Sequence, residues 1–316
     1  MELKVITNKK TIPCGDVTWS ETEDSLGMEF SFSMPFSYFD KQFKKTLNVG
    51  DPVTILVDKK KALQGIITQA TLGGGEYRGY DFAFYLNKST TIIQFKKASA
   101  NEAIQKLCKR FKVPLGQIPK MATTITKLYK NEAVADIILD ILKKVRAETG
   151  KRYKIQMAGG KLSIIESGTK KIKPVYTDEL GRECECTHAC SISGTRSIEN
   201  LRNSVTVAGS GEKSAQIKAT VTDPASIKKY GLLSTVETEE KINAAKARNR
   251  AKNILKEQNK VQTSFTAEMP GNPDIRAGVR IYFNRPEAKV KGWYKVKSCT
   301  HTFSNGIYRV SCEMEN

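Results

Sequence analysis

Histidine is scarce in this sequence, which has only two in 316 residues, His188 and His301. A nucleophilic triad needs a base beside its serine or cysteine, so few such sites are possible. The sequence also lacks the phosphate loops GxxxxGKS and GxxxxGKT, and no GxGxxG segment follows a strand and opens a helix. These absences predict a protein that is not an enzyme and that has no cofactor.

Long apolar runs are absent as well. No segment offers the ~20 consecutive apolar residues that a membrane-spanning helix requires, so we expect no membrane insertion. The opening residues, MELKVITNKKTIPCG, contain no apolar signal-peptide core, which predicts synthesis and folding in a cytosol. In that compartment the seven cysteines, an odd number, are expected to be free thiols or ligands rather than disulfides.

Positive charge is abundant. Lysine and arginine number 52 against 33 aspartates and glutamates, which gives a net charge of +19. Such an excess suggests an acidic partner, whether nucleic acid, a membrane surface or an acidic protein. At 316 residues the chain exceeds one average domain, so we expect two domains, or two and a small insert.

Apolar and polar residues alternate through much of the N-terminal part, which is the period of strands with one buried face. The alternating residues form three groups: Met28, Phe30, Phe32 and Met34; Val53, Ile55 and Val57; and Tyr80, Phe82, Phe84 and Leu86. Turn residues such as Gly50-Asp51-Pro52 and Gly73-Gly74-Gly75 separate them. Residues 1–97 are therefore predicted to form an antiparallel β-barrel or sandwich domain.

The period then changes to that of helices. Ser99 and Glu102 form a capping box at the start of one helix, and Gly150 is placed as the C-cap of a second helix with a continuous apolar stripe. A glycine pair at 159–160 indicates a hairpin after them. Residues 98–173 are predicted to form a small α/β insert of two helices and a hairpin.

Strands resume in the last part of the chain. Residues 174–316 are predicted to form a second β-barrel-like domain, with one basic helix at about residues 239–258. The predicted fold class is α+β, mostly β, with two antiparallel barrel or sandwich domains and the small α/β insert.

Basic residues concentrate in two segments. Residues 143–173 carry ten lysines and arginines against two glutamates, and residues 241–260 carry seven against one. The candidate partner-binding residues of the basic helix surround its alanine stripe and are Lys246, Arg248, Arg250, Lys252 and Lys256. Three interpretations stay open: a solvated face, a surface for an acidic protein, or a nucleic-acid site. Nucleic-acid binding is favoured least, because no aromatic residues alternate with the charges to stack on bases.

Four potential metal ligands occur in the segment CECTHAC. They are Cys184, Cys186, His188 and Cys190, and thiolate and imidazole are ligands that zinc prefers. In a strand, however, the first and last of them would stand roughly 20 Å apart at ~3.3 Å per residue. The spacing also lacks the CxxC knuckle of structural zinc sites, so the pattern favours a loop of thiols. A metal site formed by a looped segment stays open.

Six segments occur in a definite order along the chain. The first two are GDPVTILVDKKKALQGIITQA and FAFYLNKSTTIIQFKKASANEAIQKLCKRF. The other four are SIENLRNSVTVAG, AAKARNRAKNILKEQNK, PGNPDIRAGVRIYF and YKVKSCTHTFSNGIYRVSCEMEN. Their order and spacing resemble those of tail hub proteins from bacteriophages and phage-like contractile particles, of the XkdQ/YqbQ type. The resemblance covers nearly the whole chain.

The resemblance implies two β-barrel-like domains that pack around a threefold axis, so that three copies present six similar barrels. It implies a homotrimeric structural hub of a contractile tail baseplate, which joins the tail tube to the spike. The expected partners are the tube protein, the spike protein, other baseplate proteins and, as a further candidate, the tape measure. Such a chain would be made in the bacterial cytoplasm and assembled into a phage or an R-type bacteriocin.

The residues that match the hub pattern are implied to be structural, at a turn and in the final hairpin. They are Gly271, Asn272, Pro273, Gly278, Val279, His301, Phe303 and Gly306. The resemblance lends no catalytic residue, and CECTHAC has no equivalent in it. Two other classes stay open: a nucleic-acid-binding β-barrel protein and, less favoured, a tail-associated cell-wall hydrolase.

Overall fold

The computed structural model describes residues 2–41, 46–177, 180, 182–185, 191–210, 215–240 and 242–316. Its N-terminal part consists of antiparallel strands. They are β1 Leu3–Thr7, β2 Lys10–Ile12, β3 Val17–Thr22, β4 Glu29–Ser33, β5 Pro52–Val57, β6 Lys60–Ala70 and β7 Glu76–Asp81. The alternation in β4 and β5 buries one face of each strand, as predicted. Gly73, Gly74 and Gly75 all have positive φ in the turn between β6 and β7.

A compact middle part follows. Its elements are α1 Phe84–Lys88, β8 Thr90–Ser99, α2 Ala100–Arg110, β9 Thr124–Ala133, α3 Val134–Thr149, β10 Tyr153–Ala158 and β11 Lys161–Glu166. The Glu102 carboxylate accepts from the Ser99 N–H at 3.0 Å, and Gly150 ends α3 with φ 72°, so both predicted helix ends are confirmed. β8 pairs with β9 and packs in the same core as both helices. The domain division at 97/98 and 173/174 stays a prediction.

The prediction that residues 80–86 continue a strand was wrong. β7 ends at Asp81, and α1 begins at Phe84. The cause is the buried Asp81 carboxylate, which accepts from the Ala83 N–H at 2.9 Å and from the Met28 N–H at 3.0 Å. These bonds turn the chain, and Leu86 then packs in the core of the middle part rather than in the sheet.

The C-terminal part alternates strands with two helices. Its elements are β12 Lys171–Ile172, β13 Val175–Thr177, β14 Glu183–Glu185, β15 Ser191–Ser197, β16 Ser204–Ser210, β17 Ala215–Thr222, α4 Pro224–Tyr230, β18 Ser234–Glu240, α5 Ala244–Gln258, β19 Gln262–Pro270, β20 Arg280–Arg285, β21 Val290–Ser304 and β22 Ile307–Glu315. A 3-10 turn, Pro286–Ala288, precedes β21.

The basic helix starts later than predicted. α5 begins at Ala244 because the Asn243 side chain caps it, accepting from the Lys246 N–H at 2.8 Å, while residue 239 belongs to β18. The short helix α4 was not predicted, although its signal is local: Asp223 caps it and Pro224 occupies its first turn.

One large sheet joins the two ends of the chain. Its strand order is β15-β19-β22-β21-β3-β4-β7-β6-β5-β1-β2, and β20 and β12 extend it beside β21. The link is the antiparallel pairing of β3 with β21, from Thr22↔Ser298 to Val17↔Phe303. A separate three-stranded sheet, β17-β16-β18, packs against α5. The predicted fold class, mostly β with antiparallel sheets, is confirmed.

In the described residues no helix is both long enough and apolar enough to cross a membrane.

Candidate functional site

Glu21, near the end of β3, places one buried carboxylate where three parts of the chain meet. Arg276 binds it through two N–H groups, with Nε 2.6 Å from Oε1 and Nη2 2.9 Å from Oε2. Lys154, on β10, donates to Oε2 at 3.1 Å, and the Ala277 N–H donates to Oε1 at 2.7 Å. The N-terminal sheet, the middle part and a C-terminal loop are therefore joined through a single side chain. We call the contacts of Glu21 with Arg276, Lys154 and Ala277 the junction.

These charges are buried and mutually satisfied. The Lys154 side chain is 2% exposed, and its Nζ also donates to the Ala277 carbonyl oxygen at 2.8 Å. Burial disfavours the charge on Glu21, but the positive charges and hydrogen bonds of Arg276 and Lys154 outweigh it and lower its pKa from 4.5 to about 2. Glu21 is thus held ionised by fixed partners, an arrangement that positions chain segments rather than accepts a proton from a substrate.

A second buried carboxylate, Glu23, lies beside the junction and adds further ion pairs. Its Oε2 lies 2.7 Å from Lys295 Nζ on β21 and 3.4 Å from Arg152 Nη2, just before β10. The Ser167 hydroxyl donates to its other oxygen. Lys295 also pairs with Glu315 at 2.7 Å, so side chains tie the segment that follows β3 to β21 and β22.

The structure places His301 in β21, 1% exposed and bonded at both ring nitrogens. Nε2 lies 2.9 Å from the Ile275 carbonyl oxygen, which can only accept, so Nε2 carries a proton and the Tyr308 hydroxyl donates to Nδ1 at 2.7 Å. The Trp19 ring stacks on the imidazole at a centroid distance of 4.9 Å. Burial lowers the pKa of His301 from 6.5 to about 4, so the ring is neutral near pH 7.

The glycine-rich turn at 271–279 packs against the final hairpin. A Cβ on Gly271 would lie 2.2 Å from atoms of the Tyr308 ring, so only glycine fits there. The Asn272 side chain accepts from the Asp274 N–H at 2.9 Å, which makes the bend that contains Pro273. The turn therefore holds the ring that hydrogen-bonds to the buried histidine.

The end of this turn and the last hairpin also have specific backbone requirements. Gly278 has φ 79°, and its N–H donates to the Val296 carbonyl oxygen at 2.7 Å, while the Val279 carbonyl oxygen accepts from the Val296 N–H at 2.9 Å. Gly306 has φ 76° in the turn that joins β21 to β22, and Phe303 pairs with Tyr308 beside that turn. Phe303 also packs against the core of the N-terminal sheet.

The five basic residues of α5 do not act as one set. Arg250 faces β18, where it forms ion pairs with Glu239 and, at 3.5 Å, with Glu237. Lys246 lies 3.7 Å from Glu148 of α3. The remaining three are exposed and have no ion-pair partner within the part of the chain that the structure describes; they are Arg248, Lys252 and Lys256.

The structure brings the two basic segments of the sequence together. Asn249 and Asn253 of α5 donate to the Glu148 carbonyl oxygen at 2.9 and 3.1 Å, close to the C-terminal end of α3. Beside this contact lies a cleft of about 460 Å³ that the C-terminal sheet closes. Basic residues from β20 and β21, Arg280 and Lys295, line it too, and the sequence did not single these out.

The candidate metal ligands are only partly described. Cys184 lies on β14, which pairs with β13, whereas Cys186, His188 and Cys190 lie outside the described residues. Elsewhere, in the described ranges, no group of three or more His, Cys, Asp and Glu side chains could hold a metal ion.

A protein-family model described as YQBQ-like matches residues 17–315. The chain belongs to the YqbQ-like family.

Two proteins of Bacillus subtilis strain 168 are relatives of this chain. The uncharacterized protein YqbQ is 28% identical over 243 residues, which are 75% of this chain and 72% of that one. The phage-like element PBSX protein XkdQ is 27% identical over 276 residues, 85% of this chain and 82% of that one. The resemblance to XkdQ/YqbQ-type proteins is thereby confirmed.

Solved structures share the fold. The 43 kDa tail protein of prophage MuSo2 from Shewanella oneidensis matches with a TM-score of 0.71 and 11% identity, over 99% of this chain and 98% of that one. The E. coli c3393 protein matches with a TM-score of 0.54 and 10% identity, over 98% of this chain and 76% of that one. It is described as a type VI secretion component with structural similarity to the T4 tail proteins gp27 and gp5. This chain therefore has the fold of phage tail proteins.

Proposed function

We propose that this protein is the structural central hub of a contractile tail baseplate, that it joins the tail tube to the spike, and that it catalyses no reaction. One observation carries the proposal: the fold matches that of a prophage tail protein over nearly the full length of both chains. The sequence relationship to a protein of the phage-like element PBSX supports it independently.

The geometry suits a part that must keep its shape under force. The Glu21 carboxylate fixes the N-terminal sheet, the middle part and the C-terminal turn to one another, and Glu23 adds a second set of ion pairs. The large sheet also runs without interruption from the N-terminal strands to the C-terminal ones. A hub built in this way transmits displacement between neighbours instead of absorbing it in a hinge.

We infer a homotrimer, with the tube protein, the spike protein, other baseplate proteins and the tape measure as partners. Closed cyclic symmetry is the usual way in which identical subunits form a ring. The exposed cations of α5, Arg248, Lys252 and Lys256, then offer an acidic neighbour a surface. On this proposal the chain is made in the bacterial cytoplasm and assembled into the baseplate of a phage or a headless bacteriocin-like particle.

Mass spectrometry of particles tests this function. Particles from producing cells would be treated with nuclease, sedimented and quantified for this chain relative to the tube protein. A hub is expected at about three copies per tail, as one C3 ring. Absence from the particles, or release of the chain by nuclease alone, would contradict the hub and favour a nucleic-acid-binding role. A copy number close to that of the tube protein would contradict it as well.

A further inference from the structure

The basic cleft beside the contact of α3 with α5 carries more positive charge than its own structure neutralises. Its lining contains seven lysines and arginines and three glutamates. Each glutamate is already paired: Glu166 with Lys151 at 3.1 Å, Glu315 with Lys295 at 2.7 Å, and Glu257 with a basic residue of α3. The cations outside these pairs therefore face the cleft with an excess of positive charge.

Two cations that line the cleft have no carboxylate partner within the described residues, Lys256 and Arg280. A third cation, Lys260, donates from Nζ to the Asn316 main-chain oxygen at 2.7 Å. The pKa of Lys260 is lowered, first by burial and then by the charges of Lys295, Arg280 and Arg146, although Glu315 opposes these. Lys295, Arg280 and Arg146 thus repel the Lys260 charge across the cleft, and Glu315 offsets part of that repulsion.

Arg280 gives the cleft a specific binding group. Its Nε is buried and has no hydrogen-bond acceptor in the part of the chain that the structure describes. A guanidinium N–H that is removed from water without an acceptor is costly, and native proteins seldom leave one in this state. A carboxylate is the acceptor that matches the planar guanidinium best, because its two oxygens bind two parallel N–H groups.

We propose that this cleft binds an acidic peptide segment of a partner protein, with Arg280 and Lys256 holding side-chain carboxylates. The cleft volume, about 460 Å³, admits a short segment and not a folded surface. No aromatic side chain is among the described residues that line it, so bases would find no stacking surface, and a peptide fits better than a nucleic acid. This inference is independent of the hub role, since it depends only on the cleft.

Fluorescence anisotropy of the purified full chain tests the proposal. The probe is a fluorescein-labelled peptide of alternating glutamate and glycine, titrated at low and at physiological salt. The test variant is Lys256→Gln with Arg280→Gln, because neither side chain has an ion-pair partner in the described ranges that its loss would leave unpaired. The variant should bind the peptide at least about 10-fold more weakly than the wild type, since two charge-assisted contacts are lost.

A matched control removes the same charge elsewhere. Lys109→Gln with Lys130→Gln changes two exposed lysines of α2 and β9 and should leave affinity within about 2-fold. Thermal melts followed by circular dichroism would show that both variants fold. Equal weakening in the control would reduce the binding to diffuse attraction by the net charge and overturn the proposal, as would an absence of binding by the wild type. Tighter, Arg280-dependent binding of a single-stranded oligonucleotide or of inorganic phosphate would replace the peptide with a phosphate ligand.

Discussion

Replacement of Glu21 by glutamine should destabilise the whole molecule while hardly changing its volume. The substitution removes the negative charge that Arg276 and Lys154 share in the interior. Removing one partner of a buried ion pair costs about 3–5 kcal/mol, because the other charge stays buried and unpaired. The pKa of Glu21 leads to a similar figure: a fall from 4.5 to about 2 corresponds to about 3 kcal/mol of stability at neutral pH.

The pH dependence tests the cause of this loss. The folded-state pKa of Glu21 is depressed, so its contribution is fully present above pH ~4.5 and is lost as pH falls towards ~2. The difference in the free energy of unfolding between wild type and Glu21→Gln should therefore shrink by about 2 kcal/mol between pH 7 and pH 3. Urea denaturation of both proteins at pH 7 and at pH 3 measures this difference in the free energy of unfolding.

Calorimetry provides a second measurement and a matched control. At ~2.1 cal/mol/K per residue, a loss of 3–5 kcal/mol lowers Tm by roughly 5–8 °C in a chain of this length. Glu29→Gln changes an exposed glutamate on the neighbouring strand β4 and should move Tm by about 1 °C or less. A Glu21→Gln variant that melts within about 1 °C of the wild type, or a stability difference independent of pH, would refute the assigned role of the junction.

Three further substitutions test other parts of the structure. His301→Gln should reduce the loss of stability between pH 7.5 and pH 5, because the wild-type ring is held neutral with a pKa of about 4. In urea titrations the wild type should lose about 2 kcal/mol more than the variant over this range, and parallel pH profiles would contradict this. Gly271→Ala, which places a Cβ against an aromatic ring, should cost about 1–3 kcal/mol. Gly306→Ala, which places a Cβ in open space, should lower the free energy of unfolding only by the ~1 kcal/mol that a positive φ costs. Equal losses of Tm for Gly271→Ala and Gly306→Ala would argue against the predicted clash at Gly271. Arg248→Glu with Lys252→Glu should reduce particle yield about 10-fold or more while the Tm of the isolated chain stays unchanged, and normal particle yield would exclude this face of α5 as a partner surface.

Local signals predicted most of the elements correctly. Some signals depend on only a few neighbouring residues, so they can be recognised in the sequence alone. They are the Ser99–Glu102 cap, the C-cap Gly150 and the glycine pair at 159–160. The strand assigned to residues 80–86 failed for a tertiary reason. Its alternation is real, but Asp81 ends β7 by accepting main-chain hydrogen bonds from two separate segments.

The junction could not be predicted from local sequence signals. Glu21, Lys154 and Arg276 lie in three distant parts of the chain, and each reads as an ordinary surface charge in its own segment. The two basic segments can be recognised in the sequence by their excess of lysine and arginine. Which of these residues form ion pairs, however, depends on how the chain packs. Arg250 is neutralised by Glu237 and Glu239 of β18, whereas Arg280, outside both segments, has no carboxylate partner among the residues that the structure describes.

The pairing of β3 with β21 has a consequence for biosynthesis. β3 leaves the ribosome well before its partner β21, because most of the sequence lies between the two strands. Until then one edge of the N-terminal sheet remains without its native neighbour, with unpaired main-chain donors and acceptors that can recruit other strands. The slow step of folding is therefore expected to follow the synthesis of β21, and nascent chains truncated before residue 290 are expected to be aggregation-prone.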